Sequence, residues 1–323
     1  MLKDFRIGST MPALISGTSP YGGPWQAFNY SREEIPQKDS VMFQVGREVE
    51  DYITRAALKG VHPGWLEIIG LPKDALKTFK FKKTPSVFFE AEGVPYRDTP
   101  DGKIVRSGRH HKPIFLIEAK RCQYSDRDDW ADPLPVGEAP EEGAEITESR
   151  VPSYYRDQCQ HHMFAHPEVS AVLMPVIFNW TDTPKIYVVF RDNARINELH
   201  ELCKRFWFEH IKPQIPPMAD SSDAMKEYLK HQEATQELYP KAEDEDYLHM
   251  YNLMEAKEHL AKIKAVIQER ENTLKERIGS NYGLTFFDNG RISFKPNKHG
   301  TRTLSYRGVK KELLYAHGGE INE

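Results

Sequence analysis

Glu118 and Lys120 are the residues of this sequence best placed to do chemistry. They close the segment Pro113-Ile114-Phe115-Leu116-Ile117-Glu118-Ala119-Lys120. An apolar run introduced by a proline reads as a buried strand. Alternate residues of a strand share a face, so Glu118 and Lys120 point together and Ala119 points away. Charges at the inner end of such a strand are paired or bind a cation. A carboxylate beside an ammonium on a rigid edge can hold Mg²⁺ and orient a water for phosphodiester cleavage. The same pair can equally be a salt-bridged strand end.

The elements that must position this pair are legible on both sides of it. Ser9 or Thr10 can cap a short helix to Ile15, which Gly17 ends, and Gly22-Gly23-Pro24 turns into a second at Trp25–Tyr30. Their hydroxyls and backbone N–H groups could receive a phosphate, or simply cap and turn the chain. Met42–Leu58 carries an apolar stripe through Phe43, Val45, Val49 and Ile53, which predicts a helix. Glu50 sits beside that stripe, either bonded to an arginine such as Arg47 or aimed at a site. Residues 59–86 read as irregular, with a basic run at Lys77, Lys80, Lys82 and Lys83 that suits a solvated face or a phosphate rim. Ser86–Tyr96, Ile104–Val105 and the Glu118 strand predict a three-stranded meander over 86–120. Its turn is Asp98-Thr99-Pro100-Asp101-Gly102-Lys103, and Arg106–Lys112, with Arg109, is a basic loop.

Residues 125–150 shift to acids and prolines and read as a surface insert. Pro152 then opens a helix to Ala165, with Tyr155, Gln158 and His162 at helical spacing along one face. Ala171–Phe178 and Lys185–Arg191 predict a hairpin, and Asn193–Ile211 an amphipathic helix. Pro213, Pro216 and Pro217 mark a boundary between domains at 1–212 and 213–323. Beyond it two helices are expected, at about 220–238 and 242–278. The second carries an apolar seam through Leu253, Leu260, Ile263, Ile267 and Leu274 that suits a helical hairpin or an oligomer contact. From Arg291 to Lys311 there are seven Lys/Arg and no acid, fitting either a nucleic-acid contact or a polar β-hairpin.

Composition sets the outer limits. The 323 residues are 39% hydrophobic and 28% charged, with formal net charge -4, which is globular rather than disordered. A nucleic-acid channel needs only one basic face, so the net charge does not decide that question. No apolar run is long enough to span a membrane, and the first residues lack the apolar core of a secretory signal. Three widely spaced cysteines, Cys122, Cys159 and Cys203, give neither a disulfide framework nor a four-cysteine iron–sulfur site. A reducing, cytoplasmic compartment is expected.

Five motifs in order resemble the YqaJ-like viral recombinases, the lambda exonuclease family of PD-(D/E)XK nucleases. They are Ile7-Gly8-Ser9-Thr10 with Ser19-Pro20-Tyr21, then Gly46-Arg47-Glu48-Val49-Glu50, then the acid turn ending at Asp101. Ile117-Glu118-Ala119-Lys120 and Pro152-Ser153-Tyr154-Tyr155-Arg156-Asp157-Gln158-Cys159-Gln160 complete the set. The resemblance covers about residues 7–191. It implies a PD-(D/E)XK core, a mixed central sheet flanked by helices, followed here by a C-terminal helical hairpin and short β extension. It further implies a Mg²⁺- or Mn²⁺-dependent exonuclease working 5′→3′ on double-stranded DNA ends, making single strands for phage-type recombination. A structure- or site-specific endonuclease, a silent DNA-binding protein on the same core and a helical assembly protein are the other readings.

By the same resemblance Asp101, Glu118 and the Ala119 backbone carbonyl would hold the metal. Glu92 is the alternative to Asp101, because Asp101 and Glu118 are seventeen positions apart, longer than the family's usual link. Lys120 would orient the attacking water, and Glu50 would stand beside a second ion or a water of the first. Ser9, Tyr155, Gln158, Gln160, Lys82, Lys83, Arg106 and Arg109 would contact DNA. A homo-oligomer and a single-strand annealing protein are the implied partners.

Overall fold

The computed structural model describes residues 5–32, 50, 52–55, 79–106, 113–134, 141, 147–178, 184–231, 241–286 and 290–307. The chain divides into two units, Met1–Glu233 and Ala234–Glu323.

The first unit is built on a mixed sheet. Its strands are β1 (Phe79–Lys82), β4 (Gly102–Arg106), β5 (Pro113–Ile117), β6 (Lys120–Arg121), β7 (Ala171–Ile177) and β8 (Lys185–Phe190). β4 runs antiparallel to β1 and β5, β7 runs parallel to β5 and β6, and β8 returns antiparallel to β7. The pairs Leu116↔Val172, Ile117↔Leu173, Lys120↔Val176 and Arg121↔Ile177 keep one register. Glu118 N–H donates to Leu173 O at 3.1 Å in the gap. β5, Glu118-Ala119 and β6 are therefore one continuous edge, and the period-two alternation survives through the charged triplet.

That alternation sorts the side chains. Leu116 and Cys122 join Cys159, Met163, Val172, Met174 and Val176 in one core beneath α3 (Ser153–Ala165). Ala119 turns to the other face and packs with Ile53 and Ile177. Glu118 and Lys120, between Leu116 and Cys122, thus face α3. A second core gathers α1 (Met11–Ile15), α2 (Pro24–Arg32), Val94, Tyr96 and α4 (Asn193–Phe206), which continues as a π-helical turn to Ile211. α5 (Asp223–His231) also belongs to this unit. Tyr228 lies 4.9 Å from the Trp25 ring, and Trp25 N–H donates to Asp220 at 3.0 Å.

The expected meander over 86–120 forms only in its second half, where β4 pairs antiparallel with β5. β2 (Val87–Ala91) and β3 (Val94–Asp98) form a separate two-stranded sheet, through a turn in which Glu92 and Gly93 have φ of 48° and 79°. β3 also takes Ile7 as a parallel bridge, Ile7 N–H donating to Pro95 O and Arg97 N–H to Ile7 O. Thr99 and Pro100 then carry the chain into the main sheet, where β1 supplies the missing edge. β1 lay within the stretch expected to be irregular. Its Phe-Lys-Phe-Lys alternation is a strand signal that the lysine count obscures. The acidic insert is sewn down at both ends: Ala131 bridges Arg150, Leu134 bridges Ile186, and Trp130 is buried.

Asp157 fixes α3 against α1 and α4. It is 1% exposed and accepts from Arg195 Nε and Nη2, both at 2.8 Å, and from Thr18 Oγ1 at 2.9 Å. Arg195→Ala leaves this carboxylate buried with one neutral donor. We expect a loss of about 3 kcal/mol in urea unfolding, as for a broken buried pair. A loss below about 1 kcal/mol would mean that the pair behaves as a surface bridge.

The second unit holds α6 (Asp244–Ile278), opened by a Glu243/Asp246 capping box, and a three-stranded antiparallel sheet. Its strands are β9 (Gly283–Phe286), β10 (Gly290–Pro296) and β11 (Arg302–Arg307). Arg302 stacks over Phe294 at 4.1 Å and donates to Gly279 O at 2.7 Å, tying the sheet to the end of α6. Among the described residues no helix is long and apolar enough to cross a membrane.

Candidate active site

The continuous edge brings Glu118 and Lys120 up beneath α3, and the helix supplies their partners. Lys120 Nζ donates to Glu118 Oε1 at 2.5 Å, and Gln158 Nε2 donates to the same oxygen at 2.6 Å. His162, one turn further along α3, places Nε2 3.1 Å from Glu118 Oε2. Glu118 itself is 3% exposed. On the other side, Asp101 Oδ2 accepts from Ala119 N–H at 2.8 Å. The acid from the β3–β4 connection therefore meets the strand at the residue between Glu118 and Lys120.

The electrostatics of the two acids differ. Burial, then the Glu118 and Glu50 carboxylates, push the Asp101 carboxyl up to about 7, against Lys120 and the Ala119 N–H. Burial acts on Glu118 in the same sense, but Lys120 and His162 outweigh it and hold that carboxyl at about 2. Burial disfavours the Lys120 ammonium, yet Glu118 and Asp101 keep it above its usual range. Asp101 is thus the acid that resists ionisation here, and a cation beside it would favour its charged form. Acids arranged this way suit a divalent cation.

A cleft of about 460 Å³ opens beside these groups. Glu50, Ala119, Lys120, Tyr154, Tyr155 and Gln158 line it, together with Thr10, Ser19 and Tyr21 from the N-terminal segment. Asp101 and Glu118 stand one hydrogen bond behind this wall, through Ala119 and Gln158. Lys120 Nζ lies 5.3 Å from the Tyr155 ring centre, Tyr155 packs on Tyr154 at 4.2 Å, and Tyr154 meets Tyr21 edge-on at 5.6 Å. A ladder of aromatic faces therefore leads away from the ammonium.

Not every residue expected at the site is there. Glu92 sits on the β2–β3 turn, ion-paired with Lys204 and 3.8 Å from His200. Lys204 draws its carboxyl below the usual range. Asp101, not Glu92, touches the Glu118-Ala119-Lys120 edge. Lys204 also fills the Glu92–His200–Glu201 group, bonding both of its carboxylates where a cation would otherwise sit. Gln160 is fully buried. Its Nε2 donates to Phe190 O at 2.8 Å and its Oε1 accepts from Asp192 N–H at 2.9 Å, so both ends of the amide are bonded within the protein and tie α3 to the end of β8. Ser9 is half-buried beside Thr10, which lines the cleft in its place. Arg109 and the side chains of Lys82 and Arg106 lie outside the described residues, while Lys83 is exposed.

The reading of the sequence missed Asp98, taking it only as turn chemistry. It is fully buried, with Oδ1 2.7 Å from His162 Nδ1 and Oδ2 3.5 Å from His166 Nε2. Burial opposes its charge, but His162, His166 and His161 hold its carboxyl well below the usual range. Burial likewise disfavours the charged His162, yet Asp98 and Glu118 raise it to about 10. A signal was available: Gln158, His162 and His166 recur every four residues.

No family model matches this sequence, and no curated protein matches it. Among solved structures it is similar to an alkaline exonuclease from Laribacter hongkongensis, at 16% identity and TM-score 0.41 over 70% of this chain and 91% of that one. A putative exonuclease from Eubacterium rectale gives 10% identity and TM-score 0.42 over 75% and 92%. Similarity at this level decides neither fold nor activity, so function rests on the geometry of the cleft.

Proposed function

We infer that this chain is a metal-dependent deoxyribonuclease with a PD-(D/E)XK core, acting as an exonuclease, 5′→3′, on double-stranded DNA ends. One observation carries the reading. Asp101 bonds the backbone between Glu118 and Lys120, and Lys120 opens onto a cleft with Glu50 and Gln158 in its wall, Asp101 and Glu118 standing directly behind it.

The donor set fits Mg²⁺ or Mn²⁺. It offers hard carboxylate oxygens, and a cation would favour the ionised form of Asp101 that burial and the neighbouring carboxylates disfavour. Asp101, Glu118 and the Ala119 carbonyl would hold the ion. When bound, it supplies Lewis-acid activation of the phosphate and of water. Lys120, pinned at Glu118 Oε1, orients the attacking water and offsets charge developing on the phosphate oxygens. Gln158 keeps Glu118 in place, and Glu50, in the wall of the cleft, adds negative charge near Asp101. The Tyr21–Tyr154–Tyr155 ladder offers stacking faces without base-edge selection, which suits an enzyme indifferent to sequence. A role in preparing single strands for recombination goes with this reading, alongside a single-strand annealing protein and as a homo-oligomer.

Tyr154→Ala is expected to raise KM for duplex ends about tenfold, one base stack, with kcat little changed. An unchanged KM would remove the ladder from substrate binding. The experiment on the activity itself compares linear with closed circular duplex in Mg²⁺. We expect the linear DNA to be degraded, the circle to be spared and a chelator to stop the reaction. Cutting of the circle would replace the exonuclease with an endonuclease. Binding without cleavage of either would leave a DNA-binding protein.

A further inference from the structure

We propose that His162 is a positioning residue of the nuclease centre, holding the Glu118 carboxylate by Oε2 while Gln158 holds it by Oε1, with Asp98 fixing the imidazole from behind. The inference rests on the nuclease reading of Glu118 and goes beyond it. A single helix face provides both grips. Gln158 and His162 are four apart on α3, and their side chains reach the two oxygens of one carboxylate at 2.6 and 3.1 Å. A carboxylate held at both oxygens cannot swing about its last torsion. Asp98 Oδ1, at 2.7 Å from Nδ1, sets the plane of the imidazole.

The plainer explanation is a buried ion pair that merely stabilises the core. The packing argues against it. Two carboxylates and an imidazole are taken out of water together, an arrangement that apolar side chains of the same volume commonly match or better in stability. The second Asp98 oxygen is also held only loosely: Oδ2 and His166 Nε2 face each other at 3.5 Å, longer than a well-formed hydrogen bond. What the arrangement does achieve is orientation: an imidazole backed by one carboxylate and aimed at another. Partners of this kind set the geometry of a metal-binding group, and their loss costs about 10- to 100-fold in metal affinity or activity.

The test compares His162→Leu, His162→Gln and Asp98→Asn in the full chain. Mn²⁺ binding is followed by calorimetry, with kcat and KM on linear duplex beside it. A glutamine amide can stand in for the imidazole Nε2–H towards Glu118 but not for the bond to Asp98. We expect His162→Leu to weaken Mn²⁺ binding about 10- to 100-fold and to lower kcat with KM for DNA unchanged. His162→Gln should recover most of the Mn²⁺ affinity, and Asp98→Asn should fall between. A core role alone predicts the opposite, because both His162 variants take away the short hydrogen bond to Asp98 and would fail alike. Should His162→Leu not fold, His162→Gln decides: wild-type-like Mn²⁺ affinity supports the grip, and its loss overturns it. Mn²⁺ binding by a wild type that cuts no DNA would sink the nuclease reading, while the variant series still decides the role of His162. No Mn²⁺ binding by the wild type would overturn both.

Discussion

Lys120→Ala is expected to slow Mg²⁺-dependent degradation of linear duplex by about 10²–10⁴-fold, the range for losing a positioned proton-transfer group. The same change should leave Mn²⁺ binding intact or tighten it. Lys120 is bonded to Glu118 Oε1 and so competes there with any cation. Removing the ammonium exposes that oxygen and raises the negative charge around Asp101. Lost turnover with retained metal separates a role in chemistry from a role in assembling the site. Equal degradation by variant and wild type would take Lys120 out of the mechanism. Loss of Mn²⁺ binding together with activity would make it a structural counter-charge.

Asp101→Asn is expected to abolish measurable cleavage and, without metal, to make the protein more stable. Burial and the nearby Glu118 and Glu50 carboxylates push the Asp101 carboxyl up to about 7. Its ionised form is therefore disfavoured in the folded state, and folding is penalised above the usual carboxylate range. An asparagine keeps an acceptor for Ala119 N–H and removes the charge. A rise in melting temperature of about 2–4 °C corresponds to relief of about 1 kcal/mol. Mn²⁺ at saturating concentration should then stabilise the wild type and not the variant, because only a ligand that binds the folded state adds stability. A variant that melts lower than wild type without metal, or gains equally from Mn²⁺, would show that Asp101 is not the cation's acid.

What the sequence revealed, and what it hid, follows from the range of each interaction. The period-two rule put Glu118 and Lys120 on one face before any coordinates, and the register along β7 bears this out. Helices α4 and α6 and the β7–β8 hairpin are legible because their apolar patterns are local, and α3 because Pro152 opens it and Tyr155, Gln158 and His162 follow at helical spacing. The β2–β3 hairpin lies inside Ser86–Tyr96, read as a single strand because its apolar residues run on past the Glu92-Gly93 turn, and nothing local says which neighbour a strand takes. β3 takes Ile7, roughly ninety positions away, rather than β4. Gln160 was assigned to DNA by its place in a motif. Only the long-range contacts at Phe190 and Asp192 reveal that its amide is already spent. Asp98 was hidden for the converse reason. In a turn-rich stretch an aspartate looks like turn chemistry, and its histidine partners lie more than sixty residues on. The acidic insert hid Trp130 in the same way, since one buried indole is easily lost among acids and prolines.

The central claim is that a cation held by Asp101 and Glu118 supports hydrolysis at a DNA end. The most direct measurement is single-turnover digestion of linear duplex labelled at one 5′ terminus, begun by adding Mg²⁺ to preformed complex. The account predicts release of a labelled terminal nucleotide as the first product, with release lost in Glu118→Gln. An intact label after Mg²⁺ addition, or equal release by Glu118→Gln, would contradict it.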